Sequence, residues 1–207
     1  ATYRVQFNPN FTFRDARKIV PYLHALGVTD LYCSPFLKAR PGSMHGYDIC
    51  DHQELNPELG TEEDFDALVS ELKKRQMGLI MDVVPNHMSI WETSNELWMD
   101  VLENGPSSPY ADFFDIDWHP IRGDTDLENR VLLPILGEAY GEVLENQQLS
   151  LIHHDGAFFV RYYEHRLPLD PYSYGEVLQL AVAMMKQQLD AEHSHVQEME
   201  SILTAIS

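Results

Sequence analysis

The chain has 207 residues, and 44% of them are hydrophobic, so it can bury the core of one large domain or of two small ones. Its 33 acidic residues outnumber 14 basic ones and give a formal net charge of −19. A field of that sign repels phosphate backbones and anionic lipids. It excludes nucleic acid and membrane surfaces as expected partners and leaves neutral ligands such as sugars.

The beginning of the chain predicts a strand followed by a helix. Residues 2–7 form a short β-prone run. Thr12 stands as a helix N-cap, Asp15 completes a capping box three residues later, and Gly27 ends the helix. The apolar residues between these positions recur at helical spacing and mark the buried stripe: Ala16, Ile19, Val20, Leu23 and Leu26.

The same pattern is then repeated. Residues 29–33 predict a second strand, and a loop rich in proline, glycine and histidine is expected over residues 34–60. Thr61 and Asp64 form the next capping box and predict a second helix. Residues 79–84 are an almost unbroken apolar run, which is typical of a strand buried on both faces of a parallel sheet.

Strands that alternate with helices predict βαβ units, in either a doubly wound sheet or a (β/α)8 barrel. A complete barrel needs about 250 residues, and three candidate barrel strands precede His87. We therefore predict an α/β fold in which residues 1–87 form strands 1–3 and their helices at the N-terminal part of a (β/α)8 TIM barrel.

Residues 88–207 follow a different pattern and predict an inserted α+β subdomain after the third strand. Residues 91–118 resemble an aromatic loop, and residues 130–136 a strand. Asp155-Gly156 lies between two β-prone runs and is typical of a type I′ turn, which predicts a hairpin over residues 149–163. Helical periodicity then returns and predicts C-terminal helices.

Cysteine usage and hydropathy bear on location. Cys33 and Cys50 are the only cysteines, too few for a disulfide framework and not spaced as C-x-x-C. No apolar run approaches the roughly 20 residues of a membrane span, and the first seven residues lack the regions of a signal peptide. The expected location is the reducing cytoplasm.

Two polar clusters are candidates for a site. His45-Gly46-Tyr47-Asp48 follows the second predicted strand, and Asp82, Asn86 and His87 follow the third. Loops at the C-terminal ends of parallel strands converge, so these side chains are expected to be neighbours. A tyrosine ring offers a flat apolar face to a pyranose, while Asp, Asn and His bind hydroxyls, which favours a sugar site. The alternative is that they only cap loops and bond to the backbone.

Metal binding is a further alternative. Several residues here are of metal-binding types, but no H-E-x-x-H or C-x-x-C spacing typical of zinc occurs. Calcium held by aspartate and asparagine oxygens stays open from the residue types, and no metal site is predicted. Neither a Walker loop nor G-x-G-x-x-G is present, so no nucleotide cofactor is predicted.

Residues 82–87 resemble the first signature region of the α-amylase superfamily, glycoside hydrolase family thirteen. Residues 45–48, followed by 56–60, resemble its companion segment after the second barrel strand. Within that superfamily, five further stretches resemble the maltooligosyl trehalose synthases: residues 1–7, 34–43, 100–105, 113–118 and 167–171.

The resemblance implies a role for each candidate. It implies that Tyr47 stacks on the glucose of subsite −1, that His87 hydrogen-bonds the 6-hydroxyl, and that Asp48 lies at the same subsite. Asp82 and Asn86 are implied to brace the site. The implied substrate is a maltooligosaccharide, whose reducing-end α-1,4 link becomes an α,α-1,1 link by retaining intramolecular transglucosylation without a cofactor. The implied partner is a trehalose-releasing hydrolase of the same pathway.

Retaining chemistry in this superfamily uses an aspartate nucleophile on barrel strand four and a glutamate acid/base on strand five, about 5–5.5 Å apart. No segment after His87 resembles either region, so no catalytic residue is predicted in this chain. The 207 residues are therefore expected to be an N-terminal portion that is inactive by itself. The alternatives are another hydrolase of the superfamily and a non-catalytic carbohydrate-binding chain.

Overall fold

A computed structural model of the chain describes residues 1–90, 94–119, 128–190 and 192–206. Two compact units divide it, Ala1–Glu96 and Leu97–Ser207. The first unit is α/β and contains every candidate site residue. The second is α+β and is described separately below.

A parallel three-stranded sheet is the framework of the first unit. Strands β1 (Thr2–Val5), β2 (Asp30–Cys33) and β5 (Gly78–Met81) lie in the order β1-β2-β5, and both pairs are parallel. Helix α1 (Phe13–Ala25) follows β1, and helix α2 (Glu62–Lys74) precedes β5. The predicted alternation of strands and helices is confirmed, although each strand is shorter than predicted.

The two faces of this sheet differ. Leu31 and Cys33 point to one face and are fully buried in the core that the helices cover. Arg4, Tyr32 and Ile80 are directly opposite one another on the other face. Ile80 is 43% exposed, so in this chain only one face of the third strand is covered and not both, as expected for a complete sheet. Within the described ranges no further strand pairs with the outer edge of β5, so this edge of the sheet is also open.

Both helices begin at the predicted threonine caps. The Thr61 hydroxyl accepts from the Asp64 N–H at 3.3 Å, and the Asp64 carboxylate accepts from the Thr61 N–H at 3.2 Å. The Asp15 carboxylate accepts from the Thr12 N–H and hydroxyl. Hydrogen bonds from Lys18 first, and then from Thr12, lower the pKa of Asp15 to about 2. This cap therefore stabilises α1 above the ordinary pKa of aspartate and is lost as the pH falls towards 2.

An aromatic cluster fills the core between the helices and the sheet. Phe13 and Phe36 contact each other, and both contact Phe7 and Phe65, with ring centroids 5.2–6.2 Å apart. Phe7 follows β1, Phe13 begins α1, Phe36 follows β2 and Phe65 lies in α2. The cluster thus ties the first two βα units together, and Phe13 at its centre has no exposed surface.

The segment between β2 and α2 is not the loop that the sequence predicts. Strands β3 (Leu37–Ala39) and β4 (Ile49–Leu55) pair antiparallel in a sheet of their own. A short 3-10 turn, Pro57–Leu59, follows. The register shifts twice along this pair, and β3 has only three residues, so the alternation that marks a strand is absent from the sequence. The turn residues that indicated a loop lie between the two strands.

The second unit contains helices and a small antiparallel sheet. Its elements are α3 (Glu96–Asn104, which begins at the last residue of the first unit), 3-10 turns at Gly105–Ser107 and Ala111–Phe113, α4 (Tyr140–Glu145), β6 (Leu149–His154), β7 (Ala157–Tyr162), β8 (His165–Pro168), a 3-10 turn at Pro171–Ser173, α5 (Tyr174–Gln188) and α6 (Ser194–Ile206). Among the described residues, no helix combines the length and the apolar composition that a membrane span requires.

The hairpin predicted around Asp155-Gly156 is present. Strands β6 and β7 pair antiparallel, and both turn residues have positive φ, 48° for Asp155 and 83° for Gly156, as a type I′ turn requires. Strand β8 then extends the sheet along β7. The order β6-β7-β8 is a simple meander, so local turn chemistry accounts for its topology.

Two other predictions for this unit are wrong. Residues 91–118 contain helix α3, whose buried residues Trp98 and Val101 are three apart as a helix requires; residues 91–93 lie outside the described ones. Residues 130–136 contain no strand. Pro134 interrupts them and has no N–H for a ladder, and the Ile135 N–H bonds instead to the Leu133 carbonyl at 2.9 Å.

Replacing Phe13 by alanine tests the aromatic cluster. Phe13→Ala should lower the free energy of unfolding by about 3–5 kcal/mol, since a fully buried ring is lost and a cavity remains. Urea unfolding followed by circular dichroism measures it. The matched control is Tyr22→Ala on the same helix, where the ring is 63% exposed and a change within about 0.5 kcal/mol is expected. Equal losses in the two variants would contradict the described core.

Candidate substrate-binding site

Four of the five candidate residues meet at the C-terminal ends of the parallel strands. Asp82 follows β5, and its N–H bonds to the Cys33 carbonyl at 3.1 Å. The Tyr47 hydroxyl donates to the Asp82 carboxylate. His87 Nε2 lies 3.1 Å from the Tyr47 carbonyl oxygen, and Asn86 Nδ2 lies 3.5 Å from His87 Nδ1. One chain of contacts thus runs from Asp82 through Tyr47 to His87 and Asn86.

Asp48 lies in the same turn as Tyr47 but has different partners. Its carboxylate accepts from the Ser43 hydroxyl and lies 3.8 Å from His45 Nδ1. Its carbonyl accepts from the Arg40 N–H at 2.9 Å. A quarter of its side chain is exposed. Asp48 therefore closes the turn and keeps a carboxylate edge within reach of a ligand.

The turn that carries Tyr47 requires glycine at position 46. Gly46 has a φ of 76°, and a Cβ there would lie 2.4 Å from the Pro35 carbonyl oxygen. The Gly46 N–H donates to the Ser43 hydroxyl, and the Tyr47 N–H donates to His45 Nδ1, both at 3.0 Å. The order His-Gly-Tyr-Asp thus has a local reason, because the chain passes close to Pro35 and then directs Tyr47 towards Asp82.

Two residues that sequence reasoning missed complete the arrangement. Arg4 Nη2 donates to the Tyr47 hydroxyl at 3.0 Å and lies 4.0 Å from Asp82 Oδ2. The Tyr32 hydroxyl donates to Asp82 at 3.2 Å, and the Arg4 guanidinium lies 5.5 Å from the centre of the Tyr32 ring. Arg4 and Tyr32 alternate with buried residues such as Val5 and Cys33. This alternation could have indicated that the two side chains lie on the uncovered face of the sheet.

The pKa shifts of Tyr47 and Arg4 indicate which group donates each hydrogen bond of this network. The hydrogen bond to Asp82 raises the pKa of Tyr47 and desolvation adds to this, while the bond from Arg4 opposes it. The bond to Tyr47 raises the pKa of Arg4. Near neutral pH, Arg4 is therefore charged and donates to a neutral phenol, which in turn donates to Asp82. The Tyr47 hydroxyl is held from two sides, while Asn86 and His87 are exposed at the surface.

The other metal-binding residue types nearby have protein partners. His52 Nε2 lies 3.0 Å from the Val84 carbonyl, and the Asp51 carboxylate accepts from the Gln53 N–H at 2.7 Å. Over the residues that the structure describes, no group of three or more His, Cys, Asp or Glu side chains is placed to hold a metal ion. The described site is a polar surface that includes the rings of Tyr32 and Tyr47.

Comparison with known proteins identifies the family. Residues 17–191 match the catalytic-domain model of α-amylase. The chain belongs to the α-amylase family. This membership and the parallel β1-β2-β5 sheet confirm the predicted fold class, an N-terminal part of a (β/α)8 barrel, and decide against a doubly wound sheet.

Three individual relatives show which members of the family this chain resembles. A solved maltooligosyltrehalose synthase from Arthrobacter ramosus is 42% identical with a TM-score of 0.71, over 82% of this chain and 21% of that one. A Mycobacterium tuberculosis relative named as a maltooligosyl trehalose synthase is 46% identical, over 66% of this chain and 18% of its own. Intracellular maltogenic amylase of Bacillus subtilis is 38% identical, over 50% of this chain and 17% of its own. The chain thus spans about a fifth of the length of these relatives.

Replacing Gly46 by alanine tests the tight turn, and Gly42 offers a matched control. Both glycines have a φ of 76°, but a Cβ at Gly42 meets nothing within 4 Å. Gly42→Ala should cost about 1–2 kcal/mol from backbone strain alone. Gly46→Ala should cost a further 1–3 kcal/mol or so, since it also meets a backbone oxygen. Thermal unfolding of both variants checks this, and equal costs would show that the close approach to Pro35 is absent.

Proposed function

We propose that this chain forms part of a maltooligosyl trehalose synthase. Residues 1–87 supply the first three βα units of the catalytic barrel, and residues 88–207 form a subdomain inserted after the third strand. The complete enzyme converts the reducing-end α-1,4 link of a maltooligosaccharide into an α,α-1,1 link. The similarity to relatives named as such synthases, at 42–46% identity, supports this reaction.

The observation that carries the proposal is the contact between Tyr47, Asp82 and His87 at the ends of the barrel strands. Tyr47 stacks on the glucose ring at subsite −1, because its hydroxyl is fixed and its ring is presented at the strand ends. Asp48 and His87 bind glucose hydroxyls at the same subsite. Asp82 and Asn86 brace the site, and Asp82 does so by accepting from the Tyr47 hydroxyl.

The contacts of His87 define how it binds a hydroxyl. Its Nε2 faces the Tyr47 carbonyl, which can only accept, so Nε2 carries the proton of the neutral ring. Nδ1 is then an acceptor, and the Asn86 amide lies 3.5 Å from it, at the limit of a hydrogen bond. A sugar hydroxyl that donates to Nδ1 would replace this weak contact with a stronger one.

These residues bind and orient a sugar but do not cleave it. Cleavage with retention of the anomeric configuration requires a nucleophilic carboxylate and an acid/base carboxyl about 5–5.5 Å apart across the anomeric carbon. We place both outside this chain, in the remaining barrel strands. The glucose released from the reducing end must then stay bound, turn over and attack the anomeric carbon of the glycosyl-enzyme through its own 1-hydroxyl. The nucleophilic carboxylate leaves, the acid/base carboxylate takes the hydroxyl proton, and this surface also has to help exclude water.

The proposed setting is trehalose biosynthesis in the cytoplasm. Both cysteines are buried as thiols, which suits a reducing compartment, and burial raises the pKa of Cys33 to about 12. The product is a non-reducing maltooligosyl trehalose. A hydrolase that releases trehalose from it is the partner that the pathway then requires.

A hydrolase of the same family is the second candidate, since the maltogenic amylase of Bacillus subtilis is 38% identical over 103 residues. Maltopentaose distinguishes the two. The complete enzyme should convert it to a non-reducing trehalosyl product, so that reducing ends disappear. An increase in reducing ends would contradict the synthase reaction and support hydrolysis instead.

In the same assay, His87→Ala should lower kcat/KM by about 5- to 100-fold, which is the value of one or two hydrogen bonds to a sugar hydroxyl. The matched control is His24→Ala, an exposed histidine near the end of α1, which should leave kcat/KM unchanged. Circular dichroism should show both variants folded. Unchanged kinetics for His87→Ala would remove it from the site.

The 207-residue chain alone should be inactive on maltopentaose. Incubation of the purified chain should yield neither a trehalosyl product nor new reducing ends, since both catalytic carboxylates are proposed to lie elsewhere. The control carries replacements of Asp48 and His87. Turnover by the chain above that control would show that its own carboxylates do the chemistry.

A further inference from the structure

The first strand holds the tyrosine turn at two points. Gln6 Nε2 donates to the His45 carbonyl at 3.0 Å, and Arg4 Nη2 donates to the Tyr47 hydroxyl at 3.0 Å. Arg4 Nη1 also donates to Gln6 Oε1 at 3.0 Å, which joins the two side chains into one unit. The backbone before Tyr47 and the tip of its ring are thus both bonded to β1 and the residue that follows it.

A phenol held by a single hydrogen bond can still swing about that bond. Asp82 provides such a bond as the acceptor for the Tyr47 proton, and it accepts from Tyr32 as well. The donor from Arg4 approaches the same phenol oxygen and engages its lone pair. With an acceptor for its proton and a donor for its oxygen, the Tyr47 hydroxyl is hydrogen-bonded on both sides.

We propose that Arg4 is a positioning residue that, together with Gln6, fixes the plane of the Tyr47 ring for stacking on the sugar. It acts through Tyr47 and not by contact with the substrate. The cation lies against the Tyr32 ring, 5.5 Å from its centre, and two of its nitrogens already donate to protein groups. The inference rests on the proposed function in one respect, namely that the Tyr47 ring is the sugar platform.

The first test reads the contact between Arg4 and Tyr47 without any turnover. Tyrosine absorbance is titrated in the 207-residue chain, and subtraction of the Tyr47→Phe titration isolates Tyr47. Arg4→Met should move this titration to higher pH, because the donated hydrogen bond and the positive charge both favour the phenolate. Arg4→Lys keeps the charge and should lie between the two. Titrations that coincide in all three proteins would overturn the proposal.

The second test is a double-mutant cycle on kcat/KM for maltopentaose in the complete enzyme. Arg4→Met should lower kcat/KM by about tenfold, mainly through KM, since a charged hydrogen bond that orients a binding group is lost. With Tyr47→Phe already present, the same change should have little further effect. Independent, multiplying losses would mean that Arg4 acts by another route and would overturn the proposal.

Arg14 provides the matched control for Arg4. Arg14→Met removes an exposed guanidinium that binds Asp64 on α2 at 2.7 Å, and it should change neither the Tyr47 titration nor KM. If the complete wild-type enzyme forms no trehalosyl product, the proposed function fails, and the titration still decides whether Arg4 positions Tyr47. If the enzyme is active and Arg4→Met behaves like Arg14→Met, only the positioning role fails.

Discussion

The carboxylate of Asp82 is the acceptor on which the described site depends. It is placed by the end of β5, where its N–H bonds to the last residue of β2, and it receives the hydroxyls of Tyr32 and Tyr47. The three parallel strands end side by side, so one carboxylate can connect side chains far apart in the sequence. Its negative charge also explains the nearby guanidinium, since a partly buried anion bonded only to neutral phenols would be poorly compensated.

In the first unit, the aromatic cluster lies on one face of the parallel sheet and the polar network lies on the other. Phe13 and its neighbours hold the helices against the covered face, where packing is dense and apolar. The other face carries Arg4, Tyr32 and Ile80 and stays partly exposed in the described structure. In a closed barrel that second face points inwards, where four-residue layers fill the interior. The site is therefore at the mouth of a space that the rest of the barrel has to complete.

Much of the first unit could be predicted because its signals are local. Thr12 with Asp15 and Thr61 with Asp64 are three residues apart, and each pair determines a helix start by direct hydrogen bonds. Pairing across the chain was harder to predict. The β3–β4 pair has an irregular register that leaves no periodic pattern. Arg4 meets Tyr47 over a separation of 43 residues, and its role depends on strand register, which the residue types alone do not specify.

The close approach at Gly46 has a consequence for how this turn can evolve. The atom that a Cβ at this position would meet is the carbonyl oxygen of residue 35, which every amino acid possesses. Trimming the side chain at position 35 therefore does not by itself remove the atom that a larger residue at position 46 would meet. A compensating change has to move the backbone itself, and that would carry Tyr47 away from Asp82.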